Sequence, residues 1–221
     1  MNVLGLDTST PASAAAVLRA DGEVFAHDPA PTELAGRPAH SAELLPRAAE
    51  ALADSGLAWV DLDAVAVGLG PGAFTGLRIG VATARALAAA HELELRPVSS
   101  LAALAAGIDA PLRLPLIDAG RGEVFAALYE GDQERWAPFA DSPEGIAERV
   151  QQGGLTPLGA GNGSLRWADA LQAAGVRVAP AGQQAHVPSA VAVCRLALDA
   201  PATPAEAVLP LYIREPDVQA P

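Results

Sequence analysis

Val3-Leu4-Gly5-Leu6-Asp7-Thr8-Ser9-Thr10-Pro11 begins as a short apolar run and stops at a carboxylate followed by three hydroxyls. That pattern spells a buried strand ending in a tight turn. Ser13 to Arg19 is a second strand, and Asp21-Gly22 turns it into Glu23-Val24-Phe25-Ala26. Asp-Gly between two apolar runs is a strong hairpin signal. The same grammar returns later as Leu114-Pro115-Leu116-Ile117-Asp118-Ala119-Gly120, a turn, and Glu123 to Tyr129 ending at Gly131-Asp132. Asp7 and Asp118 are 111 residues apart, half of a 221-residue chain. Two structurally related lobes follow, each opening with strand, Asp, turn and strand. The expected architecture is α/β, each lobe a mixed sheet flanked by helices. Residues 1–104 form the first lobe and 105–187 the second, with 188–215 expected to pack back onto the first.

Working outward, His27 to Pro38 carries Pro29, Pro31, Gly36 and Pro38 and reads as a loop. Ala39 to Ser55 has helical spacing, with Leu44, Leu45, Ala48, Ala49 and Leu52 on one face and Gly56 at its end. Pro46 inside it predicts a kink or a later start. Leu62 to Leu69 is a buried strand, and Gly70-Pro71-Gly72 leads into a helix over Phe74 to His91. Helices are also predicted over Ser142–Gln152, Ser164–Ala174 and Ser189–Asp199, the last capped by Ser189. Leu158 to Gly163 reads as strand and turn. Pro210 to Arg214 is expected to pack, and Glu215 to Pro221 to fray.

Composition narrows the function. There are 26 acidic residues against 14 basic ones, a net charge of −12, and every basic residue is arginine. The absence of lysine excludes a lysine nucleophile, a Schiff base and a Walker-type phosphate lysine. Alanine occurs 51 times and aromatic residues nine times, so the core is built from Leu, Val, Ile and closely approaching alanine surfaces. An acidic surface repels phosphate backbones, which argues against autonomous nucleic-acid binding. Cys194 is the single cysteine, so no intrachain disulfide is possible, and its apolar flanks make it a small core residue. No Cys/His cluster has zinc-site spacing, so no metal is expected. The N-terminus lacks a signal-peptide pattern and no apolar run reaches the ~20 residues of a membrane span, so the expected location is the cytoplasm.

Gly68-Leu69-Gly70-Pro71-Gly72-Ala73-Phe74-Thr75-Gly76-Leu77-Arg78-Ile79-Gly80 is the densest motif. Its glycines either let backbone NH groups converge on an anion at a helix N-terminus or merely permit a sharp turn and close helix packing. A dinucleotide fingerprint is discounted, because the strand is not the first of the chain and Pro71 removes an NH donor. Gly76, Gly80, Ala84 and Ala88 recur every four residues as a smooth stripe, either a buried internal contact or a docking face. Asp7 with Thr8 and Ser9 suits either a magnesium-bound phosphate or a self-satisfied turn. With Gly70, Gly72, Thr75 and Asp118 they are the candidates for a degenerate nucleotide loop. His40 lacks a second histidine one turn on, where Leu44 stands, and is expected to face solvent or cap the helix. No Ser/His/Asp set has a recognisable elbow, so no catalytic residue is assigned.

The repeated lobe resembles the actin/sugar-kinase/Hsp70 superfamily, an actin-like, ribonuclease H-like fold. More specifically, LGLDTST from Leu4, HSAELLP from His40, GLGPGAFTGLRIG from Gly68, IDAGRGEVF from Ile117 and PLYIR from Pro210 resemble the bacterial TsaB (YeaZ) family in order and content. A common form of the third segment has Ser where this chain has Ala73. The resemblance implies a non-catalytic subunit of the machinery that makes N6-threonylcarbamoyladenosine in tRNA. It implies docking through the first two helices onto a TsaD-like transferase, joined by a TsaE-like ATPase. The expected interface for partner or homodimer is His40, Leu44, Leu45, Ala48, Gly76, Gly80, Ala84 and Ala88. No intrinsic cofactor is expected; ATP or ADP is expected only at the interface of an assembled complex, and tRNA only indirectly. The alternatives are a small-molecule kinase or a metallopeptidase-like enzyme of the same superfamily.

Overall fold

A computed structural model describes residues 1–213; Arg214 of the expected packed tail and the expected frayed end, Glu215 to Pro221, lie outside the described residues. The chain opens with β1 (Val3–Asp7), β2 (Ala14–Leu18) and β3 (Val24–His27), then α1 (His40–Asp54), β4 (Ala64–Gly68), α2 (Phe74–His91) and β5 (Glu94–Val98). α3 (Ser100–Ala106) leads to β6 (Leu112–Gly120), β7 (Glu123–Glu130) and β8 (Gln133–Asp141). α4 (Pro143–Gln152), β9 (Leu158–Ala160), α5 (Asn162–Arg166), α6 (Ala168–Ala173), β10 (Arg177–Val178) and α7 (Ala190–Asp199) complete it.

The two sheets are topological copies. The first runs β3-β2-β1-β4-β5, the second β8-β7-β6-β9-β10. In each, three antiparallel strands are followed by two added in parallel. The opening strand of each lobe is central and carries its Asp at or near its end, where the hairpin begins, as the repeat predicts.

Side chains alternate across the first sheet. Leu4, Leu6, Val17, Val65 and Val67 face α1 and α2, while Ala14, Ala16, Ala64 and Ala66 face α7. Bulky residues fill the two-helix side, and alanines let α7 lie close. A Cβ on Gly5 would stand 2.6 Å from both the Ala190 carbonyl oxygen and Cys194 Sγ. Cys194 is fully buried there, and burial pushes its thiol up to about 12. The C-terminal helix therefore packs back onto the first lobe. α3 lies between the two lobes: Ala103 joins the cluster under α7, while Leu101 and Leu104 pack beneath Ile117 and Phe125.

Several local expectations are corrected. α1 runs through Pro46 from His40 without a late start. The predicted helix over 164–174 is two short helices meeting at Trp167. Ser189 does not cap α7 through its own side chain. Asp28, far away in sequence, does so: its carboxylate accepts from Ala190 N at 2.9 Å and from Ser189 Oγ at 2.7 Å. β5, α3 and β8 were not legible from periodicity. Among the described residues no helix is long and apolar enough to cross a membrane.

Candidate functional site

β1 delivers Asp7 into the turn where a phosphate loop is expected. Its Oδ1 accepts from Ser9 N at 2.8 Å and Ser9 Oγ at 2.6 Å, and its Oδ2 accepts from Ser100 Oγ at 2.6 Å. Ser100 Oγ in turn accepts from Gly70 N at 3.0 Å. Thr8 Oγ1 donates to the Gly76 carbonyl at 2.8 Å, and Ala73 N donates to the Ser9 carbonyl at 2.8 Å. The turn is thus knitted to the first residues of α2. Asp7, Thr8 and Ser9 are essentially inaccessible, and burial pushes the Asp7 carboxyl above the ordinary carboxylate range.

The glycines of the dense motif make this closure possible. A Cβ on Gly72 would lie 2.3 Å from the Ser9 carbonyl oxygen, and one on Gly76 2.2 Å from that of Thr8. One on Gly80 would lie 2.3 Å from Thr8 Oγ1, and one on Gly68 1.9 Å from Asp7 Oδ2. These glycines let α2 pack closely on the turn. Asp7, Thr8, Ser9, Gly70 and Gly72 are brought together, and the Asp7 carboxylate, the Thr8 and Ser9 hydroxyls and the Gly70 amide are hydrogen-bonded within the chain. Thr75 is exposed on α2. Asp118 repeats the arrangement in the other lobe: its Oδ1 accepts from Gly120 N at 3.1 Å, the same two-residue reach as Asp7 to Ser9 N. Its Oδ2 accepts from Arg166 Nη1 at 2.7 Å. Gly120 and Gly122 hold positive φ on either side of Arg121, as this tight turn requires.

The expected docking residues turn mostly inward. Gly76, Gly80, Ala84 and Ala88 face the first sheet and the Asp7 turn, and Leu44 and Ala48 join the same core. His40 is buried rather than solvent-facing, with Nδ1 2.8 Å from Ser13 Oγ. Its Nε2 is buried with no partner among the described residues, and burial pulls its pKa down. Only Leu45, 49 % exposed, looks outward. Every-fourth-residue spacing identifies a stripe on a helix but not whether the helix's own sheet already occupies it.

Sequence reasoning missed the outward face. On α2, Phe74, Arg78 and Ala82 are exposed and Arg85 is half-buried. Residues 209–213 cross this helix, anchored by Leu211 N donating to the Leu69 carbonyl at 2.8 Å. Tyr212 and Phe74 have ring centroids 5.1 Å apart, and Arg78 lies 3.8 Å over the Phe74 ring while its Nε donates to Tyr212 Oη at 3.1 Å. A groove of about 380 Å³ runs between Arg78, Ala82, Arg85, Leu209, Pro210 and Tyr212. Among the described residues no three of His, Cys, Asp and Glu converge as a metal-ligand set.

A family model described as "TsaD: tRNA N6-adenosine threonylcarbamoyltransferase" matches residues 31–154. The chain is 37 % identical over 178 residues to the tRNA threonylcarbamoyladenosine biosynthesis protein TsaB of Escherichia coli, covering 76 % of this chain and 74 % of that one. The chain belongs to the TsaB (YeaZ) family. A solved YeaZ from Pseudomonas aeruginosa superposes with a TM-score of 0.75 at 29 % identity, covering 96 % of this chain and 99 % of that one. The ethanolamine utilization protein EutJ of Carboxydothermus hydrogenoformans, at 14 % identity and a TM-score of 0.52 over 88 % of this chain and 90 % of that one, shares the fold alone. The TsaB-family chain thus has the two-lobed actin-like architecture, with the phosphate turn of its first lobe closed by its own second helix.

Proposed function

We propose that this chain acts in the biosynthesis of threonylcarbamoyladenosine in tRNA as a non-catalytic subunit. In this reading it binds and activates the TsaD-type transferase that modifies N6 of adenosine 37. The observation that carries the reading is the closure of the Asp7 turn: α2 lies directly on it, and the carboxylate and hydroxyls that would hold a phosphate are bonded internally. Kinship with the transferase family over residues 31–154 supports a partner that presents matching helices. The docking face is the outward side of α1 and α2, around Leu45, Phe74, Arg78 and Ala82, not the buried stripe. A TsaE-like ATPase joins the assembly, and ATP or ADP belongs to the assembled complex. With a charge of −12, this subunit leaves tRNA contact to its partners. Alone, it pairs with itself through the same face.

The test is reconstitution of tRNA modification from purified transferase, ATPase and this chain, with each omitted in turn. Leaving out this chain should abolish or strongly reduce product, and the chain alone should turn over neither ATP nor the threonylcarbamoyl donor. Full product without it, or magnesium-dependent ATP turnover by the isolated chain, would overturn the proposal.

A further inference from the structure

A groove of about 540 Å³ lies at the seam between the lobes, where α3 meets α7. That volume is in the range of pockets that take small molecules. α7 lines it from the first lobe; the start of β6, the end of β7 and the turn after it line it from the second. Its apolar part comes from Ala102 and Ala105 of α3 and from Ala192 and Leu196 of α7. Four charged residues also line it, Arg195 and Asp199 on α7 and Arg113 and Asp132 on the second lobe. Each lobe thus offers one guanidinium and one carboxylate, a balanced set on a chain of net charge −12. Arg195 and Asp199 stand one helical turn apart, the spacing at which Glu43 and Arg47 pair on α1. Yet Arg195, Asp199 and Asp132 make no hydrogen bond or ion pair among the described residues. Arg113 is held by the Ala105 carbonyl at 3.3 Å and by the Gly131 carbonyl, while its buried Nε has no partner among the described residues.

We infer that this groove is a binding site for a small zwitterion with an apolar body, of the chemistry shared by an apolar amino acid and a short apolar peptide. A simple anion entering it would meet Asp132 and Asp199, and a simple cation would meet both arginines. A neutral apolar molecule would cover charged groups without pairing them, which is costly. A molecule with a carboxylate and an ammonium at its ends answers both signs and lays its apolar body on the alanines. The carboxylate suits a guanidinium, whose fork grips it with two parallel hydrogen bonds. Because the walls belong to different lobes, such a ligand bridges the seam and stabilises the folded pair by mass action. The site is separate from the proposed docking face, since none of its residues lies on α1 or α2.

The experiment titrates the full chain calorimetrically with leucyl-leucine, with free leucine, and with leucyl-leucine blocked by N-acetyl and C-amide groups. Arg195→Met and Asp132→Asn are titrated beside wild type; both side chains are exposed, so the fold survives their replacement. At least one of the two zwitterions should bind wild type saturably and raise its melting temperature. The blocked peptide, which keeps the apolar body without the charges, should bind about tenfold more weakly or not at all. Each substitution should weaken binding of the zwitterion by about tenfold, the scale of losing a hydrogen bond to a charged group. Tighter binding of leucyl-leucine assigns the groove to a peptide, and tighter binding of leucine to a free amino acid. No saturable binding of either zwitterion would overturn the inference, as would equal binding of the blocked peptide. Wild-type affinity in both variants would place the site elsewhere and overturn it too. If a substituted chain fails to fold, the comparison of blocked and free peptide on wild type decides by itself.

Discussion

Asp7 shows how burial sets the chemistry of a carboxylate. Its carboxyl is buried and holds Ser9 and Ser100, and desolvation raises its pKa in the folded chain. A raised folded value means that its contribution to stability is fullest below the unfolded pKa of about 3.9 and is lost as pH rises through the folded value. Asp7→Asn removes that ionisation while keeping size and one acceptor. The stability of the variant relative to wild type should therefore rise between about pH 4 and pH 7 in urea titrations. A constant difference across that range would show that Asp7 ionises as freely folded as unfolded. Asp7→Ala is a harsher change. It strands the Ser9 and Ser100 donors inside the protein, at about 1–3 kcal/mol for a buried group left unpaired, so little effect on stability is not expected. Phosphate ligand and self-satisfied turn are equal readings of Asp7-Thr8-Ser9 in the sequence, because both use the same three side chains; the hydrogen bond from Ser100, 93 residues away, is one that no local pattern shows.

At the scale of an element, α2 was delimited correctly from its sequence, over Phe74 to His91, but its faces were exchanged. Ala84 and Ala82 separate the two sides experimentally. Ala84 is fully buried against the first sheet, whereas Ala82 is exposed. Ala84→Arg would force a charged side chain into the core occupied by Val65, Val67 and Leu44. Overpacking alone costs about 1–3 kcal/mol, and an unpaired buried charge adds to it. A large fall in melting temperature is expected, so this variant reports on folding rather than on docking. Ala82→Arg should melt within a degree or two of wild type. Equal melting temperatures for the two variants would place the stripe at the surface after all.

For the whole molecule, one contact that joins distant parts of the chain is Asp28 at the N-terminus of α7, 161 residues from Ser189. Burial raises the Asp28 carboxyl, while the Ala190 amide and Ser189 hydroxyl draw it back down. Asp28→Ala should cost about 1–2 kcal/mol, the range for loss of a helix cap. The cost should be localised: amide exchange over 190–199 should accelerate before that of the central strand over 3–7. An unchanged urea midpoint would mean that solvent replaces the cap without loss. Because α7 closes one whole face of the first sheet, this cap bears on the stability of the lobe and not only of the helix.

What the sequence determined by itself was periodic or repeated. The duplicated strand-Asp-turn, the apolar runs of the buried strands, the limits of α2 and the positive φ at Gly120 and Gly122 all follow from local patterns. Each depends on residues within a few positions, where spacing and steric rules act directly. Tertiary structure alone decided which neighbour covers each face. Gly76 and Gly80 meet Thr8, His40 meets Ser13, and Asp28 meets α7. Residues 209–212 join Phe74 and Arg78 into a surface that neither segment displays separately. Those pairings span 27 to 162 residues, beyond the reach of any periodicity, and they settle burial. Burial in turn made the Asp7 turn a packed joint and left the acid-free side of α2 facing outward.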